Sequence, residues 1–485
     1  RYNVDGSLDS SFGGDGTVLT PIGASDDNAR AVVVQSDGKI VVAGNASNGS
    51  DDDFALARYN TNGSLDSSFD GDGILLAPIG ASADVAYAVA QLPGGRLVVG
   101  GISWVGAGFD FSVARFNSDG SFDNSFDGDG KVITAVGTTH DFASSLAVQT
   151  DGKLILVGRA VFGKNDFAIV RYNPDGSLDA SFDGDGIQTT SIGAFSDDAR
   201  AVAIQADGKI VLAGSSSDGV NEHSALARFN VDGSLDSGFD GDGKLTTDVG
   251  PADALFRGVA VQTNGKIVAV GPRYSGGFFA FGLSRFNADG SLDSSFDGDG
   301  MLITEVGPDT DFADAVAVQQ DGKIVVAGSS WNGLNFEFAL ARYVGDPPPP
   351  ATAPAVLPIA TITAPSRRRT PSRSLTAFAG TAGPTGQVAK VEVALRKQSR
   401  SQLKRGNCLW LKDAKAKLVK VQTANGRCGT RRFLTATGSD NWSFKLRNQL
   451  SSGRYRLYVR VTLKTGEVLS TYTKSQGNLR VFSVS

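Results

Sequence analysis

The chain has 485 residues, 41% of them hydrophobic and 61 of them glycine, enough apolar material for more than one packed core. Its net charge of −5 conceals two parts of opposite sign: residues 351–485 hold 25 Lys and Arg against 4 Asp and Glu, while the first 350 hold 21 against 47. No run approaches about 18 consecutive apolar residues, which excludes a helical membrane span, and only two histidines, His140 and His223, are present.

An Arg-(Tyr/Phe)-Asn anchor stands at Arg1, Arg58, Arg115, Arg171, Arg228 and Arg285, and returns as Arg342-Tyr343-Val344. The spacing is 57 residues, broken once by 56, so six units fill residues 1–345. Each unit reads as four short strands. In the fourth, "IQTTSIG" (187–193) is a first strand of mixed polarity and "RAVAIQ" (200–205) an apolar second. "ADGK" is a tight turn in which glycine supplies a positive φ, "IVLAG" (210–214) is an internal third strand, and "SALARFN" (224–230) is the fourth. No segment carries a helical apolar period of useful length. Six copies of a four-stranded antiparallel meander predict an all-β chain whose first part is a six-unit β-propeller. An open β-solenoid is the competing architecture, but its repeats are shorter, about 20–30 residues. Arg1 falls at the end of a fourth strand, so a seventh blade is expected upstream.

The pattern "DFALARYN" followed by G-S-L-D-x-S-F-D-G-D-G and then "AVAVQ-x-DGKIVVAG" resembles the delta-60 repeat family of bacterial propeller proteins over residues 1–345. That resemblance implies the propeller fold and an exported, cell-surface setting, and brings no catalytic activity with it.

The most repeated stretch is "NPDGSLDASFDGDG" (173–186) and its near-copies, whose acids in the fourth unit are Asp175, Asp179, Asp183 and Asp185. Asp, Asn and backbone carbonyls are calcium ligands, so calcium is a candidate here, although no other cofactor is required. The spacing departs from a helix-loop-helix calcium site: Arg171 stands where the first acid belongs, and no bidentate Glu follows. The competing use is structural, with Asp-Gly turns and capping carboxylates. Phe182 and its equivalents Phe12, Phe69, Phe126, Phe239 and Phe296 would then staple the loop, and the repeated Arg would pair with one aspartate.

In a meander alternate connections share a side. The "DGK" turns and the acidic loops therefore lie on one face, nearly invariant among units. The third-to-fourth and first-to-second strand loops lie on the other and differ from unit to unit. A site for an asymmetric ligand must differ between blades, which places candidate contacts on the variable face: Trp104, Phe162, Tyr274, Phe278, Phe279, Trp331 and Phe336. Exposed rings there suit stacking on a glycan or anchoring a surface protein, and the alternative use of the same rings is to plug gaps between blades. The Gly-Asp-Gly triplets lack the Gly-Lys-Ser/Thr of a phosphate loop. Carboxylates for glycoside hydrolysis would have to be unrepeated, such as Glu222, Glu305 or Glu337, and nothing in the sequence sets these apart from solvated loop charges. The two histidines are likewise expected as solvated loop residues.

"GDPPPPATAPAVLP" marks a stiff Pro-rich linker over residues 346–358, followed by a basic domain over 359–485. "KVEVALRK", "WSFKLRN", "RYRLYVRVTL" and "LRVFSV" read as sandwich strands, and "LSSGRYRLYVRV" resembles a late strand of bacterial immunoglobulin-like domains. Arg454, Arg456 and Arg460 form a stripe suited to an anionic cell-wall polymer; nucleic acid is disfavoured, since no stacking motif accompanies the charge. Docking of this basic domain on the acidic propeller is a third use of the same charge. Cys408 and Cys428 have the spacing of a disulfide in an exported protein. The reading is a non-catalytic extracellular or cell-surface binding protein. Its alternatives are a propeller enzyme acting on polysaccharide or lactone, calcium-assisted, and a structural spacer.

Overall fold

The structure is a computed structural model that describes residues 1–247, 254–275 and 277–346. Beyond these it describes the segments 359–364, 369–370, 377–383, 388–398, 408–411, 418–421, 434–436, 441–445, 453–463 and 479–484. The chain divides into two compact units, Arg1–Pro349 and Pro350–Ser485.

The first unit is a β-propeller. Five four-stranded antiparallel sheets and one three-stranded sheet follow one another along the chain. In the first sheet β1 (Asp27–Val34), β2 (Ile40–Ser47), β3 (Asp52–Tyr59) and β4 (Ile74–Ala77) pair in sequence order. The sixth sheet has equivalents of the first three strands only: Asp311–Val318, Ile324–Trp331 and Phe336–Tyr343. The first strands of successive sheets pack against each other and form the inner ring around the propeller axis.

The expected phase of the repeat is corrected by one strand. "IQTTSIG" does not open the fourth sheet: Ile187–Thr190 pairs with Asn165–Tyr172 and closes the third. The acidic loop therefore sits inside a sheet, between its third strand and its outer one. The blades join instead through loops such as 191–196. Shifting the frame by one strand leaves the alternation of faces unchanged.

The core lies between the sheets. Phe54 and Leu56 on β3 and Val41 on β2 pack with Ala86, Leu97 and Val99 of the second sheet, all essentially inaccessible, and the same cluster recurs from sheet to sheet. In the second to fifth sheets the second strand is apolar on both faces because one face meets the preceding blade and the other the following blade.

The inner strand carries one extra residue. The pairing of β1 with β2 shifts between Ala29 and Ala31, and equivalent shifts occur at 86/88, 199/201 and 313/315. This β-bulge needs the glycine of "VVAG". A Cβ on Gly44 would stand 1.7 Å from the Asn28 carbonyl oxygen, and one on Gly214 would stand 1.9 Å from that of Asp198. Only glycine lets the carbonyl approach so closely.

In the second unit, Val388–Gln398 pairs antiparallel with Gly453–Leu463, which pairs in turn with Leu479–Val484. Val391, Val393 and Leu395 on one strand and Tyr455, Leu457 and Val459 on the other are buried. A separate three-stranded sheet joins Ile359–Ala364, Ala377–Gly383 and Asn441–Lys445.

Candidate functional site

The invariant face is held by its own repeated residues. In the fourth copy of the acidic loop, Asp179 Oδ2 accepts from Arg171 Nε at 2.6 Å and pairs with Lys153 Nζ at 2.8 Å. Its Oδ1 accepts from the Ser181 amide and hydroxyl. Lys153 is the lysine of "DGK", which gives that turn its reason to repeat; Lys39, Lys209 and Lys266 make the same pair, and Arg96 replaces them in the second repeat. Arg171 is 2% exposed, stacks 4.5 Å from the Phe182 ring centroid, and donates through Nη1 to the Val231 carbonyl of the next blade's loop. Burial works to raise the Asp179 pKa, but the hydrogen bonds from Lys153 and Ser181 and the charge of Arg171 hold it far below the usual carboxylate range.

The other acids of this loop have separate tasks. Asp175 accepts from the amide and hydroxyl of Ser177, and Asp185 from the Ile187 amide. Asp183 adopts φ 48° and donates its amide to the Asp232 carbonyl of the neighbouring loop at 2.8 Å. Among the described residues no three His, Cys, Asp or Glu side chains converge as a metal-binding group.

The variable face gathers the predicted rings into two clusters that bridge blades. Trp104 lies 5.0 Å from Phe109, which lies 5.7 Å from Phe142 of the next sheet; the Arg159 guanidinium covers Phe142 at 4.3 Å. Tyr274 meets Phe279, Phe279 meets Phe312, Phe312 meets Phe336, and Phe336 meets Trp331, with centroids 5.1–5.8 Å apart. Arg257 lies 5.2 Å from the Phe312 ring. Phe162 and Phe278 remain about half exposed and join neither cluster. Phe109, Phe142 and Phe312 extend the set, the last two coming from inner strands rather than from loops. His140, expected in solvent, is half-buried beside Trp104 and accepts the Phe109 amide on Nδ1. Glu222, Glu305 and Glu337 stand on three different blades, and Glu337 accepts from Asn332 at 2.6 Å.

This face also has a repeated cap that the loop comparison overlooked. Asp84 accepts from the amides of Ile79 and Gly80, and Asp141, Asp197 and Asp311 do the same five and four residues upstream. All four are fully buried, and burial raises the Asp84 and Asp197 pKa values despite these hydrogen bonds. The signal was the constant Gly-x-x-x-Asp spacing from Gly80 to Asp84 and at its equivalents.

Between the two faces the bulges of five blades present one residue each toward the axis, Arg30, Tyr87, Ser144, Arg200 and Asp314, and Arg257 holds the equivalent place in the fifth, where the strand pairing starts at Gly258. The preceding residue is an alanine in every blade but the fifth, where it is Phe256; it is buried in the second to sixth blades and exposed at Ala29, so the framework is shared while its inward residue changes. Neighbours touch around the ring. The Arg30 guanidinium lies 4.8 Å from the Tyr87 centroid, Arg257 Nη1 lies 2.6 Å from Asp314 Oδ1, and Arg200 and Arg159 share Asp198 Oδ2 at 2.8 and 3.0 Å. With Asp198 counted beside Asp314, the ring's three arginines and Arg159 meet two carboxylates, which leaves a positive excess inside an acidic unit. Such a site attracts anions, and guanidinium groups flanked by ring faces suit a ligand with both apolar and acidic surfaces.

In the second unit Arg460 reaches Glu392 Oε2 at 2.7 Å, and Lys390 reaches the other oxygen at 2.9 Å. The side chains of Arg454 and Arg456, and the expected Cys408–Cys428 disulfide, lie outside the described residues. Among the described residues no helix is long and apolar enough to cross a membrane.

A family model described as a domain of unknown function (DUF5122) beta-propeller matches residues 35–69, 92–126, 149–182, 205–239, 262–296 and 319–344, six units that together identify a propeller repeat. No curated protein matches the chain. Among solved structures, an unknown function protein from Dyadobacter fermentans is 11% identical and covers 66% of this chain and 96% of its own, with a TM-score of 0.41. A protein from Lactobacillus plantarum is 12% identical, covering 67% and 88%, at 0.41. The polysaccharide lyase Uly1 is 12% identical, covering 89% and 91%, at 0.33. Likenesses at this level carry no argument about substrate.

Proposed function

We propose that the propeller is a binding platform for an acidic glycan, received on the variable face and at the axis. The observation that carries this reading is the ring of inner-strand bulges. It keeps one scaffold and varies one inward residue per blade, with arginine in three of the six positions. A uronate-bearing sugar would offer carboxylates to Arg200 and Arg257 in exchange for Asp198 and Asp314, and apolar ring faces to the Phe142 and Phe312 clusters. The one carboxylate at a bulge position, Asp314, is already paired with Arg257. This arrangement favours holding an anion over hydrolysing a glycosidic bond with two free carboxyls. The second unit, read as a basic immunoglobulin-like sandwich, would add attraction to an anionic cell-surface polymer in an extracellular setting; its support is the 25-to-4 excess of basic residues.

The test is titration calorimetry of the full chain with oligogalacturonate and with a neutral cello-oligosaccharide of equal length. The reading requires selective, salt-sensitive binding of the uronate, weakened at least tenfold in Arg200→Gln/Arg257→Gln. Equal binding of both sugars, or affinity untouched by the double substitution, would falsify it. Release of new reducing ends or unsaturated products during the titration would replace the platform with an enzyme.

A further inference from the structure

The anchors of the first unit number seven, whereas its sheets number six. Five anchor arginines donate to the carbonyl three residues past the next anchor: Arg1 to Thr61, Arg58 to Ser118, Arg115 to Pro174, Arg171 to Val231 and Arg228 to Ala288, while Arg285 Nη1 reaches the Asp346 carboxylate at 3.3 Å, one residue beyond the equivalent carbonyl. Arg342 continues this ladder by donating to the Val4 carbonyl at 2.7 Å, three residues past Arg1. The ladder therefore closes on itself with Arg1 as a seventh position after Arg342. At that position residues 1–20 supply the end of a third strand and an acidic loop, with the Tyr2–Leu8 bridge that every other copy makes. Among the described residues no sheet strands stand inside them.

Both walls of this position are bare. Phe338, on the third strand of the sixth sheet, is 96% exposed, whereas its equivalents Phe54, Phe111, Phe167 and Phe281 are at most 1% exposed. Leu340 beside it is 43% exposed against 0–1% for Leu56, Val113, Ile169, Leu226 and Leu283. On the opposite wall Val32 and Val34 of β1 are each 64% exposed, and Tyr2 is 47% exposed where Tyr59 and Tyr172 are buried. A single cavity runs between the walls, lined by Tyr2, Arg30, Val32, Asp314, Phe338 and Leu340 among others. An apolar surface of this extent is unfavourable in water and marks an interaction site.

We infer that this slot is a docking surface for the three inner strands of one more repeat of this protein's own type, completing a seven-blade ring. The occupant is defined by continuity with an interface already built five times. Its inner strand would pack on the inner strand of the sixth sheet, and its second strand would bury Phe338 and Leu340. Its third strand would run in line with Arg1-Tyr2-Asn3, as Ala227 runs into Arg228. The same insertion would put a seventh bulge residue beside Arg30 and Asp314, which are now exposed at the slot.

The experiment appends a copy of residues 194–227 directly before Arg1, so that the added third strand enters the anchor in register. Hydrogen exchange in residues 27–34 and 336–343 should slow at least tenfold relative to the parent, and binding of a hydrophobic dye should fall. A control fusion carrying Ala213→Asp and Leu226→Asp in the added copy should exchange and bind dye like the parent. The inference is overturned if the first fusion also behaves like the parent, or if those segments are already protected in a monomeric parent. It is equally overturned if the parent is a dye-dark dimer, since a second copy would then cover the slot.

Discussion

Replacing Arg171 by methionine removes the centre of one blade's acidic loop and should be felt by the whole first unit. The substitution deletes the 2.6 Å bond to Asp179, the Nη2 bond to Ser181 at 3.1 Å, and the tie to Val231 in the next blade. Asp179 stays 5% exposed with Lys153 as its remaining cation. Breaking a buried pair from one side costs about 3–5 kcal/mol, because a charge is left without its counter-charge. An unfolding entropy of about 2.1 cal/mol/K per residue gives roughly 0.7 kcal/mol/K for a unit of this size, so the melting midpoint should fall by about 4–7 °C. Scanning calorimetry of the full chain reads this in the transition of the first unit, separately from the second. Arg171→Met/Asp179→Leu should recover more than half of the loss, since an apolar pair of similar volume is close to neutral. A shift below about 1 °C for the single variant would refute the assignment of the pair as structural. A double variant no more stable than the single would refute the uncompensated charge as the cause.

Acid should unfold the first unit over a narrow range. Burial works to raise the Asp123 pKa, yet bonds from Ser125 and Arg96 and the charge of Arg115 lower it to about 2. Its contribution, about 2 kcal/mol, is present above the ordinary value near 3.8 and is lost as pH falls through 2; Asp66, Asp179, Asp236 and Asp293 are lowered for the same reasons. Midpoints measured from pH 6 to pH 2 should therefore hold down to about pH 4 and then drop steeply, and a flat profile would contradict the pairs. Chelator should leave the midpoint unchanged, because the carboxylates of the acidic loop already serve amides, hydroxyls and cations; a fall of several degrees, reversed by calcium, would reinstate the metal. Phe182→Ala should cost about 3–5 kcal/mol in a melting experiment, as it empties a fully buried ring site under Arg171. Gly214→Ala should cost about 3 kcal/mol, the upper end for overpacking, because its Cβ would meet the Asp198 carbonyl; a neutral outcome would mean that the bulge relaxes freely.

The sheets were legible because alternating apolar segments and Asp-Gly turns recur at a fixed interval, and the segregation of loops into two faces followed from strand parity alone. The phase of the blade was not legible. A ring of identical units has no intrinsic start, and "IQTT" is as compatible with opening one sheet as with closing another. The Arg171–Asp179 pair was anticipated from repetition, but the lysine of "DGK" was read only as turn punctuation. Its partner lies 26 residues away, and nothing local announces it. The aromatic clusters were half visible, through loop rings such as Trp104 and Trp331; Phe142 and Phe312 close the variable segments "GTTHDF" and "GPDTDF", and nothing in those segments showed that the inner strands begin there and turn these rings toward the clusters. The bulge ring left no trace, since an extra residue beside an alanine or phenylalanine does not disturb the apolar count.

Gly44, Gly214 and their equivalents give the inner bulge a consequence beyond the fold. Because glycine alone absorbs the displaced carbonyl, the residue at the apex bears none of the geometric cost of its own position. Arginine, tyrosine, serine and aspartate all occupy it on the same backbone. Each blade therefore works as a socket with an exchangeable pin, and a single codon change can alter what the axis displays while leaving the barrel of sheets untouched. Specificity in such a protein can drift one blade at a time, with no intermediate that must refold.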